Sequence, residues 1–308
     1  MAKLTESTKG LGQKSGRGLP WRLLILTVVL GLALLSSPGF SAKKEAKAPA
    51  KPPSKAAKAA PEAKKILRQA CDFLKAAKQF SFQAEVTDDQ VYTQGKKLQF
   101  ALDLDAYVSR PDKLRVNAAG DLENKQFFDD GKTITLYDKP QNVYATMKAP
   151  GAIAAALNKA HREYGLRVAL ADLTSGDAYA LMTKGVKHAL YVGEGLVRGE
   201  KCHHLAFDKK KIQFQIWISL GAKPLIRKVL ITQKEFPASP QWTAYLTDWN
   251  FSPKFSNDLF VFKAPPGAAK IKFISVKEEA AARKKEMKER QKEQKKMKKQ
   301  EKKKGDKS

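Results

Sequence analysis

The sequence predicts an α+β protein that is mainly an antiparallel β-sheet of about eleven strands with a few helices. Runs in which apolar and polar residues alternate recur along the chain, for example in residues 98–108 and 212–219. Turn signals such as Asp130-Gly131 separate these runs. A continuous apolar face of this length must bury itself, so we expect the sheet to curl into a barrel or a half-barrel over a helix.

The individual elements follow from the same patterns. Apolar residues at helical spacing predict a helix over residues 66–80, and the alternation that follows predicts a strand over residues 80–86. Pro150-Gly151 breaks the alternation, and a helix is expected over residues 152–164 with a further short helix within 170–184. The other strands are predicted at residues 98–108, 114–117, two or three within 126–147, then 186–193, 201–208, 212–220, 225–233, 242–250 and 258–268.

Residues 1–42 have the features of a secretory signal. Five basic residues precede thirteen uncharged and mostly apolar residues, Leu23 to Leu35, and small residues follow. A helix of this length spans about 20 Å, which is short of a bilayer core of about 30 Å. We therefore expect export to the periplasm or cell envelope with cleavage of the signal. The alternative is an uncleaved anchor that tethers the protein to the inner membrane.

Two basic segments flank the predicted domain. Residues 43–65 are rich in Ala, Lys and Pro and predict a disordered linker. Residues 277–308 carry 15 Lys/Arg and 7 Asp/Glu, which predicts a disordered tail or a single exposed helix. The net charge of +27 is therefore concentrated at the two ends of the chain. This distribution predicts an anionic membrane surface as a partner of the tail and no specific nucleic-acid partner.

The cysteines and histidines give no pattern that is typical of a metal site. Cys71 and Cys202 are the only cysteines, and they could form one disulfide or remain two separate buried thiols. In Cys202-His203-His204, neighbouring residues on a strand point to opposite faces of the sheet, so the three side chains cannot converge on one ion. We predict no metal.

The chain lacks the motifs of common catalytic sites. It contains no GxSxG sequence, Walker loop or GxGxxG sequence. The pairs Asp88-Asp89 and Asp129-Asp130 lie beside predicted turns, where we expect them to be exposed and to bond the backbone rather than to act as an acid and a base. We therefore predict that the protein is not an enzyme and uses no cofactor.

The apolar face of the sheet supplies the candidate ligand-binding residues. Alternation places five large apolar side chains on that face: Phe82, Phe100, Leu102, Phe214 and Ile216. If a cavity lies under the curled sheet, these residues line it and hold an apolar or acyl-chain ligand. The alternative is a filled core in which the same side chains only pack.

Several stretches resemble an uncharacterised family of predicted periplasmic proteins. They include VRGEKCHHLAF, FQIWISLGAKPLIRKVLIT and DWNFSPKFSNDLFVFKAPPGA, and the resemblance extends over residues 66–274. This family is similar to the LolA/LolB-like lipoprotein-carrier superfamily. The resemblance implies a domain over residues 66–276 with an eleven-stranded antiparallel half-barrel, closed by helices over an apolar cavity for acyl chains.

Three functions follow, in order of preference. The first is an exported envelope protein that binds an apolar or lipid-like ligand in the half-barrel. The second is an envelope scaffold or interaction module with a filled core, which binds anionic surfaces through its basic ends. A hydrolase-type enzyme is the third.

Overall fold

The computed structural model describes residues 56–92 and 95–305. The predicted signal or anchor over residues 1–42, and the predicted linker as far as residue 55, lie outside the described residues. Within the described part of the chain, no helix combines the length and the apolar character needed to cross a membrane.

A single curved sheet of twelve strands forms the domain. Its order is β12-β6-β5-β4-β3-β2-β1-β11-β10-β9-β8-β7, and every adjacent pair is antiparallel except β12 with β6. The sheet is not closed, because β12 and β7 at its two ends are not paired. The strands are β1 Gln79–Val91, β2 Lys97–Ser109, β3 Lys113–Gly120, β4 Asn124–Asp129, β5 Thr133–Asp138, β6 Val143–Lys148, β7 His188–Val197, β8 Glu200–Asp208, β9 Ile212–Ser219, β10 Ile226–Gln233, β11 Gln241–Asn250 and β12 Ala269–Ile271.

Five α-helices accompany the sheet in the described part of the chain: α1 Ala56–Ala76, α2 Ile153–Tyr164, α3 Ala171–Thr174, α4 Ala178–Thr183 and α5 Val276–Gly305. The first helix corrects the predicted linker, because residues 56–65 are helical. Ala63 is fully buried in the hydrophobic core. This packing stabilises a helix in a segment that is already rich in the helix formers Ala and Lys. The ordered domain therefore begins before residue 66.

The hydrophobic core lies between the concave face of the sheet and the helices. Alternate residues of neighbouring strands share that face, for example Phe82, Ala106 and Val116 across β1, β2 and β3. From α1, Leu67 and Leu74 are almost fully buried in the same core, and the helix contacts β7 and α4. One face of the sheet is thus packed in the hydrophobic core, as the alternation predicted.

The chain after β11 covers part of the convex face of the sheet. Phe262 packs against Phe128, Tyr137 and Tyr144, with ring centroids 5.0–5.4 Å apart. The strand predicted within residues 258–268 is wrong: Asn257–Phe260 is a 3₁₀ turn, and β12 follows later, at Ala269–Ile271. Phe262 packs against the side chains of β4–β6, and this packing replaces strand pairing.

The two cysteines are separate thiols rather than a disulfide. Cys71 lies on α1 and Cys202 on β8, and both are buried. The pKa of Cys71 is raised to about 12 and that of Cys202 to about 11, mainly because both thiols are buried. Both thiols are therefore protonated and unreactive at neutral pH.

Residues 277–305 of the basic tail belong to the helix α5, so this part of the tail follows the second of the two alternatives that the sequence left open. Its start is a capping box: the Glu278 N–H donates to Ser275 Oγ (3.2 Å), and the Ser275 N–H donates to the Glu278 carboxylate (2.8 Å). Met287 remains 61% exposed, so the helix offers little apolar area to a core.

Candidate functional site

A cavity of about 310 Å³ lies between the concave face and the segment that carries α3. One wall comes from strands β9, β10 and β11, and the other from residues 167–173 together with Met182 of α4. The volume is at the lower end of the roughly 300–1,000 Å³ that small-molecule pockets occupy. The strand residues of the wall are Ile212, Phe214, Val229, Ile231, Gln233 and Trp242.

The deep part of the cavity is apolar. Leu173, Phe214 and Val229 line it and are at most 5% exposed. Strand alternation positions the sheet residues, because Ile231 pairs with Phe214 on one side and with Trp242 on the other. An apolar surface of this kind favours an apolar group over water.

The mouth of the cavity is polar and charged. Arg167 and Asp172 are exposed lining residues, and Lys209 is half-buried with its Nζ 5.4 Å from the centroid of the Phe214 ring. Desolvation lowers the pKa of Lys209, although the charge of Asp172 opposes this shift. The apolar walls also desolvate the Asp172 carboxyl and raise its pKa, even though the residue as a whole is exposed.

The segment between α2 and α3, residues 165–170, forms a wall shared by neighbouring cavities. On its other side lies a second cavity of about 360 Å³, which Leu157, His161 and Leu181 help to line. Arg167 and Val168 contribute to both cavities. The position of this segment therefore sets the size of the space beneath the sheet.

Arg110 anchors the end of α3 to the end of α1. Its guanidinium donates to the carbonyl oxygens of Thr174 (2.8 Å), Ala77 (3.2 Å), Ser175 (3.3 Å) and Leu74 (3.5 Å). Burial lowers the pKa of Arg110, but arginine remains charged in proteins. One side chain thus satisfies carbonyl groups that the helix ends leave without partners and fixes the helix that lines the cavity.

All five predicted ligand-binding residues lie on the concave face of the sheet, and Phe214 lines the cavity. Phe82 belongs to a packed aromatic cluster, 4.7 Å from Trp249 between ring centroids, and Ile216 is fully buried in the core. Leu102 packs against the core from its edge, and Phe100 is half-buried near Tyr92. The five residues therefore share one face of the sheet, but the structure does not bring their side chains together at one site.

The other lining residues were not identified from the sequence. Val229, Ile231 and Gln233 alternate along β10, so the alternation that selected Phe214 on β9 could have found them on the neighbouring strand. Residues 167–170 follow no helical or strand period, and no pattern in the sequence marks them as cavity-lining.

The aspartate pairs are not exposed, contrary to the sequence-based expectation. Asp88 and Asp89 lie near the end of β1 and Asp129 ends β4, and all three are buried. Asp129 pairs with Leu114 and Ile134 on the core face, and Asp88 pairs with Phe100 and Trp242. The strands extend further than the turn signals indicated, so the carboxyl groups of Asp88 and Asp129 face the core. Asp89 lies on the opposite face of β1 and forms an ion pair with Lys97 (3.0 Å).

Burial is the main cause that raises the pKa of these carboxyls, to about 7 for Asp129 and about 6 for Asp88. Asp129 Oδ1 accepts the Gly131 N–H (3.0 Å), whereas Oδ2 has no hydrogen-bond partner among the described residues. Neither carboxyl lines the cavity of 310 Å³. Because burial disfavours their charged forms, these two carboxyl groups lower the folding stability of the protein at neutral pH.

The residues of Cys202-His203-His204 have different surroundings. The Cys202 side chain is buried, His203 Nδ1 lies 3.1 Å from Tyr191 Oη, and the His204 ring stacks on Trp217 at 4.2 Å between centroids. Within residues 56–92 and 95–305, no group of three or more His, Cys, Asp or Glu side chains is arranged to hold a metal ion.

The unclosed, curved sheet forms a half-barrel, and an apolar cavity lies between this half-barrel and its helices. The chain belongs to the family described as predicted periplasmic protein (DUF2092), whose model matches residues 63–274. This membership places the protein in the periplasm or cell envelope.

Several solved structures are similar at low sequence identity. An uncharacterized conserved protein from Thermus thermophilus is 13% identical with a TM-score of 0.41, over 68% of this chain and 99% of that chain. The lipoprotein LppX of Mycobacterium tuberculosis is 14% identical with a TM-score of 0.37, over 63% and 98%. A LolA superfamily protein from Nitrosomonas europaea is 8% identical with a TM-score of 0.34, over 65% and 97%.

These similarities are too distant to carry an argument about function. No curated protein sequence matches the chain.

Proposed function

We propose that the protein is a non-enzymatic envelope protein that binds an apolar or lipid-like ligand in the 310 Å³ cavity beneath α3. The cavity is the observation that carries this proposal. Its deep walls are apolar, its mouth is open, and its volume suits a small ligand. Removal of apolar surface from water is favourable by roughly 25 cal/mol per Å², so an apolar ligand that covers these walls is favoured there.

A scaffold with a filled core is the competing function. Much of the concave face does pack tightly, as the burial of Phe82 and Ile216 indicates. The space beside Phe214 and Val229 is a part of that face that the protein leaves unfilled. Purification of the full chain under mild conditions, followed by native mass spectrometry and lipid extraction, is expected to recover a bound apolar molecule. A protein that carries no ligand and takes up no added lipid would favour the scaffold.

Replacement of Ala171 by phenylalanine is expected to block the cavity without unfolding the domain. Ala171 is the half-buried first residue of α3 and lines the cavity, so a larger side chain there occupies ligand space. We expect ligand binding to weaken by at least about tenfold, which corresponds to about 1.4 kcal/mol. Fluorescent-lipid displacement measures the binding, and thermal unfolding measures the stability.

The matched control is Ala180→Phe, since Ala180 is an exposed residue of α4. This variant should bind lipid as the unaltered protein does. If the Ala171→Phe variant binds lipid as the unaltered protein does, at an unchanged melting temperature, then the ligand does not occupy this cavity.

We further propose that α5 attracts the protein to anionic membrane surfaces. Residues 277–308 carry 15 Lys/Arg against 7 Asp/Glu, and the helix exposes its described side chains over most of its length. A basic residue close to an anionic membrane contributes about 1 kcal/mol of attraction. Such binding is non-specific and screened by salt, because the Debye length is about 8 Å at physiological ionic strength.

A chain that ends at Val276 is expected to melt as the full chain does but to lose binding to anionic vesicles. The missing part of α5 has little apolar area to contribute to the core, so folding should not need it. Co-sedimentation with vesicles across a salt series measures the binding, with neutral vesicles as the control. A large drop in melting temperature would mean that α5 is part of the packed domain.

A further inference from the structure

The cavity contains one buried amide that the protein itself leaves without a partner. Gln233, at the end of β10, is 8% exposed and lines the cavity. Its backbone N–H donates to the carbonyl oxygen of Pro240 (3.0 Å), but its side-chain carboxamide makes no hydrogen bond among the described residues. The carboxamide is not one of the fully enclosed polar groups, so it is accessible from the cavity and available to a polar group there.

A cationic side chain lies at the same end of the cavity. Gln233 pairs with Ile212, and the Lys209 N–H donates to the Ile212 carbonyl oxygen (2.9 Å), so both residues belong to one end of the β9–β10 pair. Lys209 lines the cavity, and its Nζ is held against the ring of Phe214. Arg167 adds a second cation at the mouth, against the single carboxylate of Asp172.

The apolar part of the cavity extends away from this polar end. Val229 lies four residues before Gln233 on the same face of β10, which corresponds to about 13 Å along the strand. Leu173 and Met182 add apolar lining to the cavity from the helices. The cavity is thus divided into a polar end with donors and a longer apolar end.

We infer that the ligand is a single-chain amphiphile with an anionic head, such as a carboxylate-ended acyl chain. The apolar chain occupies the space beside Val229, and the head accepts hydrogen bonds from Gln233 Nε2 and Lys209 Nζ. Both donors suit a carboxylate, since hydrogen bonds to charged groups are shorter and stronger than neutral ones. This inference depends on the proposed function, because it assigns a chemical class to the ligand of the same cavity.

The test compares two probes of equal chain length, palmitate and 1-hexadecanol, on the full-length protein. We expect palmitate to bind more tightly than hexadecanol. In Gln233→Leu and in Lys209→Met, palmitate binding should weaken by about tenfold or more, because a hydrogen bond to a charged group is lost. Hexadecanol binding should change little in the Lys209→Met variant. Equilibrium dialysis of labelled ligands gives both affinities.

Two controls keep the outcomes separate. Lys209→Met retains the apolar stem beside Phe214 and is half-buried, so it tests the head group even if Gln233→Leu folds poorly. Lys210→Met, at the exposed next position, should change neither affinity. Equal affinity for the two probes would overturn the anionic head and leave the proposed function standing. Failure to bind either probe would overturn both.

Discussion

Replacement of Arg110 by alanine is expected to lower the free energy of unfolding by roughly 3 kcal/mol or more. The guanidinium serves four carbonyl groups, and those of Thr174 and Ser175 belong to residues that are at most 3% exposed. Without it, buried carbonyls lose their partner, and each unsatisfied group costs about 1–3 kcal/mol. Chemical denaturation followed by circular dichroism measures the change.

The Arg110→Lys variant separates charge from geometry. A lysine retains the positive charge but cannot present several donors in a fixed fork, so we expect a loss smaller than that of Arg110→Ala. Arg167→Ala, which removes an exposed arginine from the cavity mouth, should leave stability nearly unchanged. If Arg110→Ala unfolds at the same denaturant concentration as the unaltered protein, then Arg110 does not fix the ends of α1 and α3.

Replacement of Asp129 by asparagine is expected to stabilise the protein at pH 8 and to have little effect at pH 4. Burial raises the folded-state pKa to about 7 from an ordinary 3.8. Below pH 3.8 the carboxyl is protonated in both states, so it causes no pH-dependent loss of stability. As pH rises from about 4 to 7, only the unfolded state releases the proton, and folding stability falls by roughly 4 kcal/mol at most.

Asparagine resembles the protonated aspartate in shape and does not titrate, so it removes this loss. The gain should therefore grow between about pH 4 and pH 7 and remain constant above about pH 7. Unfolding curves across this pH range measure it. Asp103→Asn is the control, since Asp103 is an exposed residue of β2. A gain for Asp129→Asn that is the same at pH 4 and pH 8 would contradict the buried-carboxyl account.

The strands that could be predicted are those whose residues alternate. Residues 98–108 and 212–219 show period-two patterns, and both appear as strands, β2 and β9, with their apolar residues turned to the core. The stretch 258–268 combines apolar residues with no fixed period, and it was wrongly assigned as a strand. Its Phe262 packs on the outside of β4–β6, and local sequence does not encode a contact between segments so far apart in the chain.

The candidate site was predictable only as a face. Alternation placed Phe214 on the apolar side of the sheet, and the same rule placed Phe82 and Ile216 there. Whether a residue on that face touches a cavity or a neighbour depends on what packs opposite. The helix α1 fills the space over one part of the sheet, and residues 167–173 leave space over another.

The sequence by itself determined the sheet, its apolar face and the family resemblance, because these depend on local periodicity and composition. The tertiary structure alone decided the helical structure of residues 56–65, the burial of Asp129 and the separation of Cys71 from Cys202. It also decided that Gln233 lines the same cavity as Lys209. The physical reason is that burial and juxtaposition arise from contacts between segments distant in sequence, where packing overrides the local preferences that a sequence pattern records.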